Sequence, residues 1–181
     1  MAALELLAAC RPEHVGVHES WSVALPNDVV PASPTIAADH PLVIELAAYD
    51  ADTFDLFLYL IVAHHGKVRV ALHASPADQK FALAERLGYP IRGICAGDVL
   101  PAFPLMTETG STAILPALTL SLDPAQIGLS PRFGRSWRER TLALQRKFGP
   151  AALAWLETLV RTADVRASSL DLGDPLLENR S

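Results

Sequence analysis

The sequence predicts a mainly α-helical domain with one small β excursion, and three observations carry that expectation. Apolar residues recur at helical spacing through Thr53–Ala63, at Phe54, Phe57, Leu58 and Ile61. Two more helices are bracketed by start and stop signals, Ser75-Pro76 with Gly88 and Ser136 with Gly149. Strand-like texture is confined to Ile91–Leu122, where Thr119 and Ser121 alternate with leucines between prolines. With 181 residues, 50% of them hydrophobic, the chain can bury a sizeable core as one domain.

Taken in order, Met1–Cys10 is helical in composition, with no Ser, Thr, Asp or Asn in front to cap it. Residues 11–41 read as an irregular loop, because Pro12, Pro26, Pro31, Pro34 and Pro41 break helices and demote strands to edges. His14 and His18 are four apart there, a metal-binding spacing only on a helix, which Pro12, Gly16 and two valines disfavour. Pro41–Tyr49 is a short buried helix expected to form a hairpin with the next one, which Asp50 or Asp52 can cap. That next helix, the apolar run to Ala63, carries His64 and His65 on its last turn and stops at Gly66. Val68, Val70 and Leu72 then alternate with Lys67, Arg69 and Ala71, an extended segment with its cations on one face. Pro76–Leu87 is the next helix, residues 91–122 the β excursion and Ile127–Arg135 a surface loop. Ser136-Trp137-Arg138-Glu139 is a capping box opening a helix to Phe148, and Pro150 begins the last long helix. Its stripe is Leu153, Leu156, Val160 and Ala163, with Asp164 at the edge. Residues 170–181 read as a loose acidic tail.

A net charge of −5 argues against a surface that coats nucleic acid, while a local basic strip can still guide one strand. Cys10 and Cys95 lack metal-knuckle spacing and read as reduced thiols of a cytoplasmic protein. Glu5 stands where a signal peptide is basic, and no apolar run reaches the ~18 residues of a membrane helix, so a soluble protein with no membrane partner is expected.

His64 and His65 are the strongest candidates for chemistry. Adjacent imidazoles on a helix point roughly 100° apart, so they can address two metal ions, or a metal and a phosphate. The competing structural reading is a helix C-cap and a satisfied core histidine. Asp164 on an apolar stripe needs a partner, because burying an ionised acid costs several kcal/mol. Arg161, three residues earlier, is the structural candidate, and a His-bound metal the functional one.

Four segments, YLIVAHHGKVR, ICAGDVLP, LPALTLSLDPAQIGL and WRERTLALQRKFGPAALAWLETLVRTADVRASS, resemble in order and spacing the HD-type nuclease domain of type I CRISPR interference proteins. The likeness is closest to the subtype in which this domain accompanies a large helicase. It covers about Leu42–Ser169, and the paired His with GKVR and the AD-x-R-A-S ending are its specific parts. The resemblance implies an HD-domain-like, mostly helical metal-dependent phosphohydrolase fold. It implies that His64, His65 and Asp164 are both catalytic and metal-binding, with a divalent transition metal ion of the Mn, Ni, Co or Fe type as cofactor. Such ions accept imidazole and carboxylate, activate water and clamp a scissile phosphate. Lys67 and Arg69 match the family's basic residues after the pair and would hold phosphates of single-stranded DNA. The helicase portion and the CRISPR surveillance complex are the implied protein partners.

The sequence departs from the family pattern in one respect. The family's His, His-Asp and Arg-His-Glu motifs are missing, and Asp39-His40 has the reverse order. Met1 then resembles an internal start just after the Arg-His-Glu segment, so residues 1–169 are expected to be the C-terminal portion of an HD domain. Weak metal binding and apolar faces exposed where absent helices would pack are further expectations. The leading expectation is an antiviral DNA nuclease that is weak or inactive alone. Its rival is a non-catalytic scaffold in which His64, His65 and Asp164 form a structural network, and a third is a site rebuilt with His14, His18 or His40.

Overall fold

The computed structural model describes residues 1–17, 36–64, 70–72, 78, 90–107, 109–130 and 132–171. His18, His65, Gly66, Lys67 and Arg69 lie outside the described residues, as do nearly all of the expected helix Pro76–Leu87 and the tail beyond Asp171. Within the described residues the chain is mostly α with small antiparallel sheets.

Helix α1 (Ala2–Cys10) has no side-chain cap and is stabilised by burial instead, with Leu4, Glu5, Leu6 and Leu7 all inside. It packs on α2 (Pro41–Ala47), so tertiary contact supplies what a nine-residue helix lacks in isolation. His40 caps α2: Nδ1 accepts the Leu42 N–H at 3.3 Å, and Nε2 donates to the Ile114 carbonyl at 3.0 Å. Helix α3 (Ala51–Ala63) is capped by Asp50, which accepts from the Thr53 amide at 2.9 Å and its hydroxyl at 3.1 Å. These bonds to the ionised form hold the Asp50 carboxyl below its usual range.

The expected hairpin of α2 with α3 gives way to another arrangement. Helix α2 lies on α1 and on strand β3 (Thr112–Leu115), whereas α3 lies on α4 (Trp137–Phe148) and α5 (Pro150–Asp171). The apolar surface of α3 spreads around the helix: buried Asp55 and Tyr59 meet the later helices, whereas Phe54 packs edge-on to His14 and Leu58 lines a cleft with Leu4.

The β excursion is one long hairpin in a single register. Strand β1 (Val99–Leu100) pairs with β4 (Leu118–Thr119), and β2 (Phe103–Met106) with β3. Between the two ladders stand Pro101 and Pro116, which have no N–H to donate, so the pairing lapses and resumes.

Residues 127–135 are not the surface loop expected from their glycines and proline. They form a small hairpin of β5 (Leu129–Ser130) and β6 (Gly134–Arg135), with Phe133 fully buried at its turn. Gly134 has φ +64 and abuts the 12–16 turn so closely that a Cβ would lie 2.4 Å from the Val15 carbonyl oxygen. Ser136 begins α4 as expected, its Oγ accepting from the Glu139 amide at 3.5 Å. The capping box is only half formed, because Glu139 reaches instead to the Gly128 amide at 3.0 Å while the Ser136 amide donates to the Gly128 carbonyl. This ties the start of α4 to the small hairpin. Gly149, at φ +78, turns the chain into α5.

On α5 Leu153 and Glu157 are buried and Leu156 and Val160 half-buried, but residues 161–168 are exposed. The expected stripe therefore fades before Ala163. The helix continues through Asp171.

Candidate metal centre

His64 sits at the C-cap of α3, where its amide donates to Leu60 O at 3.2 Å. Its ring Nδ1 is 2.8 Å from Ile61 O and 3.2 Å from Leu60 O. A carbonyl only accepts, so Nδ1 donates in this bond, and Nε2 is the nitrogen that would offer a lone pair in that tautomer. Nε2 points across to α5 and lies 4.0 Å from Asp164 Oδ2. The Ile61 carbonyl thereby orients the imidazole ring.

The donor set, one imidazole nitrogen and one carboxylate oxygen, suits a divalent transition metal. The 4.0 Å gap exceeds hydrogen-bonding reach, and cis ligands of one ion would have to close by about 1 Å to share it. The His64 side chain is 15% exposed and that of Asp164 48%, so the pair lies at the rim of the α3–α5 seam, open to solvent on one side.

Of the five residues expected to form the site, the structure brings His64 and Asp164 together, while His65, Lys67 and Arg69 lie outside the described residues. Asp164 is exposed, not trapped on an apolar stripe, because α5 projects past Val160. Burial therefore does not force a partner on it, and among the described residues the group facing it is His64 rather than Arg161. Among the described residues no three or more His, Cys, Asp or Glu side chains gather as a metal cluster. The two described histidines of the rebuilt-site expectation have other surroundings. His40 uses both ring nitrogens to join α2 to β3, and His14 packs edge-on to Phe54 with Nε2 buried and without a hydrogen-bond partner among the described residues.

The seam that carries the pair is held by polar groups missed in the sequence. Tyr59 on α3 donates to Glu157 Oε1 on α5, both side chains buried, and the Tyr59 ring stacks on Trp137 with centroids 6.2 Å apart. Asp55, also on α3, is buried against Arg140 of α4 and faces Arg135 at 3.3 Å. Arg140 further donates to the carbonyls of Val15, Phe133 and Arg135 at 2.8–2.9 Å. Glu5 accepts from the Ser121 amide at 2.8 Å and pairs with Arg132. Burial pushes the Glu5 carboxyl above its ordinary value, against the opposing pull of Arg132 and the Ser121 amide. The available signal was a charge inside an apolar helical run, as with Asp55 between Phe54 and Leu58 or Glu5 between leucines.

A mostly apolar cleft of about 330 Å³ opens beside the same helices, between Leu58 and Val62 of α3, Leu4 of α1 and the turn at Ile91–Ile94. Among the described residues no helix is long and apolar enough to cross a membrane. No family model, no curated protein and no solved structure matches this chain.

Proposed function

We propose that this chain carries the metal centre of an HD-type nuclease of CRISPR antiviral defence, acting on the phosphodiester bonds of single-stranded DNA. The observation that supports it is the approach of His64 Nε2 to Asp164 Oδ2, two residues a hundred positions apart that the family resemblance singles out independently. In this reading His64, oriented by the Ile61 carbonyl, and Asp164, presented on the exposed rim of α5, hold a divalent ion together with His65. The ion, when bound, supplies Lewis-acid activation of water for phosphodiester hydrolysis. Lys67 and Arg69, two and four residues after His65 in sequence, neutralise flanking phosphates, and binding weakens with salt accordingly. A helicase portion and the surveillance complex are the protein partners that this reading carries, in the cytoplasm.

A second reading rests on the same pair. His64 as an imidazolium at the C-cap of α3, beside the Asp164 carboxylate, is an ion pair that ties two helices in a non-catalytic scaffold. Degradation of single-stranded DNA in excess Mn²⁺ separates the two. The nuclease reading predicts metal-dependent cleavage, weak for this chain alone and absent in Asp164→Ala. Cleavage unchanged in that variant rules the mechanism out, and no cleavage with any divalent ion favours the scaffold.

A further inference from the structure

The His64–Asp164 approach depends on how α5 is held, and the described structure contains one polar clasp suited to hold it. Past Val160 every residue of α5 up to 168 is exposed, so among the described residues Asp164 faces only His64 and is otherwise held by what happens further back along the helix. Leu153 anchors the first turns in the core, but an apolar contact fixes neither rotation nor sliding sharply. Glu157 is different. It is buried at 7% exposure on a face where a leucine would extend the stripe of Leu153, Leu156 and Val160, and its Oε1 accepts from the equally buried Tyr59 hydroxyl.

A buried carboxylate there is a poor choice for stability alone, since apolar replacements of buried polar pairs are often neutral or stabilising. A directional bond does what an apolar contact cannot, which is to fix register. Tyr59 is itself fixed, its ring stacked on Trp137 in the first turn of α4 at an interplanar angle of 13°. The chain of contacts runs Trp137, Tyr59, Glu157. Asp164 lies seven residues, two helical turns, beyond Glu157, and therefore on the same face of α5 at about 10 Å along the axis. His64 lies five residues beyond Tyr59 in the same direction along α3.

We infer that Glu157 is a positioning residue: its bond with Tyr59 sets the register of α5 against α3 and thereby the separation of His64 from Asp164. The inference rests on the reading of that pair as metal ligands. Glu157 touches neither metal nor substrate in this account and acts through Asp164.

The test uses the full chain and Mn²⁺ alone as probe, with affinity and thermal midpoint measured on the same samples. Glu157→Leu keeps bulk and removes the acceptor, Glu157→Gln keeps the acceptor, and Tyr59→Phe removes only the hydroxyl. Loss of a group hydrogen-bonded to a metal ligand lowers affinity about 10- to 100-fold, and Glu157, which holds Asp164 only through the helix, belongs at the lower end, about tenfold. The expected result is a fall of that size in Glu157→Leu and Tyr59→Phe, an affinity within about twofold of the parent in Glu157→Gln, and a midpoint in Glu157→Leu no lower than the parent. A purely structural role makes affinity and midpoint fall together in all three, and that outcome overturns the inference, as does parental affinity in a folded Glu157→Leu. If Glu157→Leu does not fold, Tyr59→Phe and Glu157→Gln decide by the same criteria. If the parent chain binds no Mn²⁺, the metal reading fails while the clasp remains open to test by amide hydrogen exchange. Faster exchange at 161–164 in Tyr59→Phe but not in Glu157→Gln then supports the clasp, and unchanged exchange overturns it.

Discussion

Asp55 and Arg140 are both almost completely buried, and each is the other's compensation for leaving water. Removing the carboxylate strands a guanidinium that is 3% exposed, with its remaining bonds made to backbone carbonyls that do not neutralise it. Asp55→Ala is expected to cost about 3–5 kcal/mol, read as a shift in the urea midpoint. Glu5 gives the chain a pH dependence of opposite sign to the usual carboxylate. Its folded pKa is raised above the ordinary 4.5, so the stability linked to it is full below that value and is lost as pH rises through the folded pKa. Thermal midpoints across that window should fall for the parent relative to Glu5→Gln and run parallel at higher pH. A gap between the two curves that does not change with pH excludes the linkage. Neither buried pair was legible in the sequence, although Asp55 and Glu5 stand among apolar neighbours, because the cations that meet them come from 85 and 127 positions away.

At the scale of elements, local signals were read well where the chemistry is local. Ser136 and Gly149 bracket α4 as expected, Asp50 caps α3, and residues 91–122 form the β excursion. Elements were misread where tertiary contact overrides composition. The segment 127–135 has the Gly and Pro of a surface loop, yet Phe133 is buried and Gly134 sits against the 12–16 turn. The second half of the capping box was lost because Glu139 found the Gly128 amide instead. Ser136→Ala should therefore cost about 1 kcal/mol, the worth of one side-chain cap, measurable by denaturant titration. Gly134→Ala should cost more than about 1 kcal/mol, since the new methyl meets both a positive φ and a backbone oxygen. An unaltered midpoint in Gly134→Ala contradicts the close approach of β6 to the 12–16 turn.

Across the whole molecule, α3 is the element that carries both the buried polar groups of the helical seam and the candidate histidine. It packs on α4 and α5, holds Asp55 and Tyr59 inside, and ends in the histidine that faces Asp164. The sequence singled out both ends of that pair without any means of knowing their distance. What it misjudged was the reason: Asp164 was expected to need a partner because it was buried, and it is exposed on a projecting helix. The pair's proximity comes from the α3–α5 seam, which periodicity marks only as an apolar stripe. If the two side chains share one ion, their contributions are coupled, and the loss in the double variant should be smaller than the sum of the two single losses in free energy. Mn²⁺ affinity of the parent, His64→Ala, Asp164→Ala and the double variant, followed by the electron spin resonance of free Mn²⁺, tests this directly. The account predicts at least a tenfold loss in each single variant, with the fold-loss in the double variant smaller than the product of the two single fold-losses. Equal affinity in the parent and Asp164→Ala contradicts it.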